Sequence, residues 1–243
     1  MRKMRKTAQY THALISRLFN TIYPTRCPVC ANPSDQWTYA PICSHCWFSM
    51  HRYSGPSCAR CALPVSSEFT RLCGSCMQEP PPFSRIIAYG LYEGVLAEVI
   101  HQLKFHGLRR LSRPLGKLLL SLEIPASDRI IPVPLSKNGL ITRGFNQSLL
   151  LSRVIAQHTG IPLSMDALSK IRDTPPQLRL SARQRLTNVR NAFEVRGSVR
   201  DMRVVLVDDV ITTGATVREC SKMLMKAGAK EIIVLALARA PLL

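Results

Sequence analysis

Acidic residues are scarce in this chain: 15 Asp and Glu stand against 33 Lys and Arg among 243 residues, a formal net charge of +18. That shortage excludes a negative surface field. It leaves a surface that draws polyanions, whether nucleic acid, phosphorylated small molecules or acidic membranes. Long apolar runs are missing as well. No stretch approaches the length that spans a bilayer, and Met1 to Asn20 lacks the apolar core and small-residue cleavage site of a signal peptide. The expectation is a cytoplasmic protein without a transmembrane segment, peripheral to the inner face of the membrane at most. What is not missing is core material: 46% of the residues are hydrophobic, enough for one medium domain and a small appendage.

The charge is uneven. Residues 1–26 hold six basic and no acidic residues, residues 27–82 three of each, residues 83–200 eighteen basic against seven acidic, and residues 201–243 six against five. The run from Lys170 to Arg200 is densest, with Arg172, Arg179, Arg183, Arg185, Arg190 and Arg196 between its ends and only Asp173 and Glu194 opposing them. Two readings stand for it, a solvated basic face and a loop that binds phosphate. In the basic arm of residues 1–26, Arg2, Lys3, Arg5 and Lys6 precede Leu14, Ile15, Leu18, Phe19 and Ile22 at helical spacing. A short amphipathic helix that docks on its own protein or a partner fits this order better than a membrane anchor, because the cations do not flank the apolar stripe.

Eight of the nine cysteines form four C-x-x-C pairs: Cys27 and Cys30, Cys43 and Cys46, Cys58 and Cys61, Cys73 and Cys76. In a reducing cytoplasm such pairs are metal ligands before they are disulfides. Two residues between cysteines let both thiolates reach one ion, and two pairs complete the tetrahedral sulfur site that zinc prefers. Residues 27–82 therefore read as a module with two structural zinc ions. Sequential pairing and an interleaved cross-brace both remain open, and an iron–sulfur cluster would use the same thiolates. Redox chemistry does not repeat its motif four times in fifty residues. Cys220 stands apart, near Met223 and Leu224 in an expected helix, and reads as a small buried hydrophobe.

After Glu79-Pro80-Pro81-Pro82 the cysteines stop and strand-like and helix-like runs alternate over residues 83–243. Strands are expected at Arg129–Val133, Val204–Val207 and Glu231–Ala238, and helices at Ser148–His158 and Thr216–Ala227. This is the pattern of an α/β domain, a parallel sheet with helices on both faces, whose ligands sit at the carboxyl ends of the strands. At one such end Arg203-Val-Val-Leu-Val runs into Asp208 and Asp209, then Val210-Ile211 and Thr212-Thr213-Gly214-Ala215-Thr216. Amides and hydroxyls of Thr212, Thr213, Gly214, Ala215 and Thr216 can face a phosphate at a helix start. The carboxylates cannot favour phosphate, so they serve what lies beside it, such as ribose hydroxyls or a magnesium hydration shell.

That stretch resembles the signature of type I phosphoribosyltransferases. Further segments, Tyr92-Glu-Gly-Val-Leu, Ile100-His-Gln-Leu-Lys-Phe-His-Gly107, Pro132-Val-Pro-Leu, Arg143-Gly-Phe-Asn-Gln-Ser148 and Gln177 with Arg183, Arg185, Asn188, Asn191, Ala192 and Phe193, occur in the order shown by the ComF family of competence proteins. The resemblance covers about residues 27–240, the paired cysteines included. It implies that Asp208 and Asp209 hold the ribose of phosphoribosyl pyrophosphate, that Thr212 to Thr216 hold its 5-phosphate, and that magnesium accompanies it. The turn with Ser136 and Lys137 occupies the place where the wider family grips pyrophosphate, and Arg143 is the second cation expected there, with Lys104 ranked behind both. Arg172, Arg183 and Arg185 are expected as contacts of a closing lid or of single-stranded DNA.

The implied function is binding of phosphoribosyl pyrophosphate in DNA uptake during natural transformation, with single-stranded DNA and a protein of the competence machinery as partners. No residue names an acceptor or a catalytic acid or base, so whether a transfer reaction takes place stays open. A nucleic-acid-binding adaptor on the same fold is the alternative, and a nucleotide-salvage phosphoribosyltransferase ranks last.

Overall fold

The computed structural model describes residues 25–36, 39–173 and 188–241. They fall into two compact units divided between Ser49 and Met50. The amphipathic arm expected over residues 1–26 lies, except for Thr25 and Arg26, outside the described residues.

In the first unit, an antiparallel bridge between Arg26 and Pro33 frames a tight knuckle, closed by a hydrogen bond from the Ala31 amide to the Cys27 carbonyl at 2.9 Å. Helix α1 (Ser44–Phe48) begins directly after Cys43. The second unit opens with a repeat of this design. Ser57 bridges Pro64, the Ala62 amide donates to the Cys58 carbonyl at 2.9 Å, and α2 (Gly74–Gln78) begins after Cys73. Ala31 and Ala62 share a positive φ, 61° and 53°. The two Cys-x-x-Cys-Ala-x-Pro segments thus fold alike, as one local sequence should.

The sheet of the second unit comprises β1 (Arg85–Leu91), β2 (Arg129–Pro132), β5 (Arg203–Ile211) and β6 (Glu231–Arg239), all parallel, in the order β1-β6-β5-β2. A separate antiparallel pair joins β3 (Leu168–Lys170) to β4 (Phe193–Val195). The central strands β5 and β6 are runs of Val, Ile, Leu and Ala buried almost throughout, the pattern of strands covered on both faces. Along β5, Val204 and Leu206 join one core with Val217, Cys220 and Leu224 of α7 (Ala215–Lys226). Alternation turns Val205 and Val207 to the opposite face, where α4 (Ser112–Leu120) packs on α6 (Gln147–Thr159). Cys220 is fully buried in the first of these cores, the role its neighbours suggested. Each such buried aliphatic side chain contributes about 1.5–3 kcal/mol.

β1 would be an open edge were it not covered by the second cysteine segment, whose Arg60 carbonyl accepts from the Ile86 amide at 2.7 Å and whose Tyr53 amide donates to Tyr89 at 3.0 Å. The remaining helices, α3 (Gly94–Phe105) after β1 and α5 (Lys137–Arg143) after β2, bring their ends to the carboxyl edge of the sheet. Among the described residues no helix is long and apolar enough to cross a membrane.

Candidate functional site

β5 extends further than its apolar run. It stays paired with β6 as far as Ile211, which lies opposite Arg239, so Asp208 and Asp209 are carried inside the sheet, 8% and 2% exposed. Two buried carboxylates in sequence are costly unless hydrogen bonds and cations meet them. Asp209 is met by Lys104, near the end of α3, whose Nζ lies 3.0 Å from Oδ2. Its Oδ1 accepts from the Val210 amide at 2.8 Å. Asp208 Oδ1 accepts from Ser148 Oγ at 3.1 Å and from the Asp209 amide at 2.9 Å.

The two acids consequently differ. Burial, with the Asp209 charge beside it, pushes Asp208 up to about 7. Burial acts upward on Asp209 also, but Lys104, the Val210 amide and the Arg143 charge outweigh it and hold its carboxyl below the usual value. Of the two, Asp209 therefore holds its charge the more firmly, and binding of a hydroxyl donor or a cation would draw the proton from Asp208.

Past Ile211 the chain turns through Thr212 and Thr213 to Gly214, the N-cap of α7, at φ 78° and ψ 4°. A Cβ there would meet nothing closer than 3.9 Å, so it is the left-handed backbone and not space that calls for glycine. Thr213 Oγ1 accepts from the Ala215 amide at 3.3 Å. The loop thus presents hydroxyls and the first amides of a twelve-residue helix beside the acid pair.

The expected pyrophosphate residues lie on α5. Ser136 is its N-cap, and its hydroxyl accepts from the Gly139 amide at 3.2 Å. Lys137 opens the helix and is exposed. Arg143 ends it, its guanidinium 5.4 Å from the centre of the Phe105 ring. The Arg143-Gly-Phe-Asn-Gln-Ser148 segment is the turn from α5 to α6. Gly144 takes φ 70°, Phe145 is buried, Asn146 caps α6 by accepting from Leu149 at 3.2 Å and donates to the Val133 carbonyl at 3.0 Å, and Ser148 reaches Asp208.

Arg172 donates to the carbonyls of Asn188 at 3.0 Å and Arg190 at 2.8 Å, and Asn138 of α5 donates to Asp173 at 2.6 Å. The two chain ends of the basic segment are therefore held together, one of them against α5. Arg183 and Arg185 lie outside the described residues.

The cysteines gather as two sets, Cys27, Cys30, Cys43 and Cys46, and Cys58, Cys61, Cys73 and Cys76, each with ligand atoms within 4.8 Å of one another. Pairing is sequential, one ion per consecutive set. The donors fit zinc: four sulfurs converge, and knuckle amides point at them. Burial alone would raise the Cys58 thiol, but amides of Cys73, Cys61 and Arg60 bring it down to about 6, and the equivalent amides bring Cys27 to about 7. Burial raises Cys43, Cys46, Cys61 and Cys76 in the same sets, a cost that a cation among the four sulfurs would offset.

Two residues of this site carry more than their sequence context suggested. Lys104, ranked behind Lys137 and Arg143, is the direct partner of Asp209. Ser148, read as part of a motif, is the direct partner of Asp208.

Comparison with known proteins agrees with both halves of this description. Residues 18–77 match the double zinc ribbon domain and residues 146–241 the phosphoribosyl transferase domain. DNA utilization protein YhgH of Salmonella typhi is 36% identical over 226 residues, 89% of this chain and 97% of that protein. Competence protein F of Haemophilus influenzae is 33% identical over 223 residues, 82% of this chain and 96% of its own length. Competence protein ComFC of Streptococcus pneumoniae is 25% identical over 202 residues, 82% of this chain and 87% of its own.

Proposed function

The chain belongs to the ComF family, that of competence protein F and DNA utilization protein YhgH, and from this we propose that it binds phosphoribosyl pyrophosphate with magnesium and acts in the uptake and use of DNA. The observation that carries the proposal is the junction of β5 and α7, where two buried, unequally charged carboxylates adjoin a hydroxyl-lined helix start. A ribose 5-phosphate needs both halves, acceptors for its hydroxyls and donors for its phosphate.

In this reading Asp208 and Asp209 accept from the ribose hydroxyls, and Thr212, Thr213, Gly214, Ala215 and Thr216 surround the 5-phosphate. Ser136, Lys137 and Arg143 meet the diphosphate. Arg143 is supported best, since its charge already acts on Asp209. Magnesium, when bound, would offset diphosphate charge, its hydration shell within reach of the carboxylates. Arg172, Arg183 and Arg185 then belong to a segment that covers the ligand or contacts single-stranded DNA. The cytoplasm is the fitting compartment, because there the thiolates stay reduced.

A second reading, in which the ligand is held without transfer and the protein serves as a nucleic-acid adaptor, draws support from the net charge of +18. Calorimetry with phosphoribosyl pyrophosphate and magnesium tests the binding that both share. Binding by the native protein and its loss in Asp208→Asn/Asp209→Asn is expected. No binding by the folded, zinc-loaded protein would remove the proposal.

A further inference from the structure

Arg239 closes β6 and is 3% exposed. A buried guanidinium persists only where its N–H groups and its charge are both met. Nε and one terminal nitrogen meet backbone carbonyls of three segments. Nε donates to Cys61 at 3.0 Å, while one terminal nitrogen donates to Ile211 at 3.0 Å, to Ala240 at 2.8 Å and to Thr212. Its charge is met otherwise. Among the described residues no carboxylate pairs with Arg239. Its Nε instead bonds the carbonyl of Cys61, which is one of the four sulfur donors of the second site. Four thiolates around one divalent ion leave two negative charges in excess, so a zinc-loaded site remains an anion for this guanidinium to face.

The other end of the contact is the entry to the phosphate loop. In a planar trans peptide the C=O and the following N–H point in opposite directions. Drawing the carbonyls of Ile211 and Thr212 toward Arg239 therefore turns the N–H groups of Thr212 and Thr213 away from it, to the other side of the loop. Oriented amides are the donors that an anion site needs, and they serve best when fixed beforehand.

We propose that Arg239 is a positioning residue through which the second zinc site, rather than the first, sets the conformation of the phosphate loop, so that zinc at Cys58, Cys61, Cys73 and Cys76 preorganises that loop for a phosphorylated ligand. The proposal rests on reading Thr212–Thr216 as the phosphate loop. It gives the second ribbon a part in ligand binding without contact with the ligand.

The test uses the full-length, zinc-loaded protein and two readouts, amide hydrogen exchange over residues 210–218 and affinity for phosphoribosyl pyrophosphate with magnesium. Arg239→Met is expected to speed exchange in the loop and weaken binding by about ten-fold or more, the worth of a charged hydrogen bond. Cys58→Ser/Cys61→Ser should move both readouts the same way, and adding Arg239→Met to it should cost little more, as for residues acting in one chain of contacts. Cys27→Ser/Cys30→Ser, in the other compact unit, should leave both within about two-fold. Native exchange and affinity in Arg239→Met overturn the proposal, and so do equal effects of the two cysteine variants. If Arg239→Met does not fold, Arg239→Lys decides: it keeps the charge but has one ammonium in place of the fork, and native behaviour of the loop in it overturns the proposal equally. If the native protein binds no phosphoribosyl pyrophosphate, the functional reading falls while exchange alone still decides the link between Arg239, the second site and the loop.

Discussion

Lys104 and Asp209, 105 residues apart in sequence, form an ion pair of 3.0 Å at the carboxyl edge of the sheet. The aspartate end is buried and the lysine end is partly open to solvent, with side-chain exposures of 3% and 21%. Removing the lysine therefore strands the acid more than removing the acid would strand the lysine.

For Lys104→Met we expect a loss of about 3 kcal/mol in stability, the low end for a broken buried pair because the lysine is not fully enclosed. The Asp209 carboxyl should rise at the same time. Denaturant unfolding at several pH values reads both, and a loss that vanishes at low pH identifies the stranded charge as its cause.

The pH behaviour of the site should be set by Asp208. Its folded pKa of about 7 lies above the ordinary value of 3.8. The folded state thus holds a proton that the unfolded chain has released, so this group's contribution to stability is fully present below the ordinary value and is lost as pH rises through about 7. Ligand binding should run the other way. An acceptor for ribose hydroxyls or magnesium must be ionised, so affinity should climb between pH 6 and 8, by up to about ten-fold per unit on the acid side. Calorimetry in buffers of different ionisation enthalpy should show proton release on binding at pH 7, and none at pH 9.

Zinc content should follow the sequential pairing. The quadruple variant of Cys27, Cys30, Cys43 and Cys46 to serine should retain one zinc per chain by native mass spectrometry, since the other set is complete by itself. An interleaved arrangement would retain none.

Gly116 of α4 faces Val154 of α6 with no room for a side chain: a Cβ there would lie 2.6 Å from Val154 Cγ1. Gly116→Ala should cost about 1–3 kcal/mol through overpacking, more than the helix propensity of alanine returns. Gly116→Ala/Val154→Ala should recover part of that loss in thermal unfolding, because the second change restores the space.

What the sequence disclosed was local in origin. The apolar runs announced strands at Arg129–Val133, Val204–Val207 and Glu231–Ala238, and the observed β2, β5 and β6 contain nearly all of them. Helices expected at Ser148–His158 and Thr216–Ala227 correspond to α6 and α7, each shifted by a residue at its ends. The motif around Asp208 and Thr216 was legible because its parts are contiguous. The extension of β5 through both aspartates was not, since it depends on register with β6 and runs through residues that rarely occupy strands. The partners Lys104 and Ser148 were hard to rank for the same reason: tertiary contact across 105 and 60 residues, and no local pattern, brings them to the acids. Arg239 gave no signal at all, a cation at the end of an apolar run looking like an ordinary strand terminus.

The two cysteine knuckles fold alike, yet just one of them shares a compact unit with the sheet. Duplication would have supplied two interchangeable copies, and descent would then have treated them differently. A copy that must only hold its metal can drift in every position but its sulfurs and its turn. The copy bonded to Arg239 is tied to a residue 178 positions away. Among descendants of a common ancestor, loss of the second cysteine set and replacement of that arginine should therefore be inherited together, whereas the first set should come and go alone.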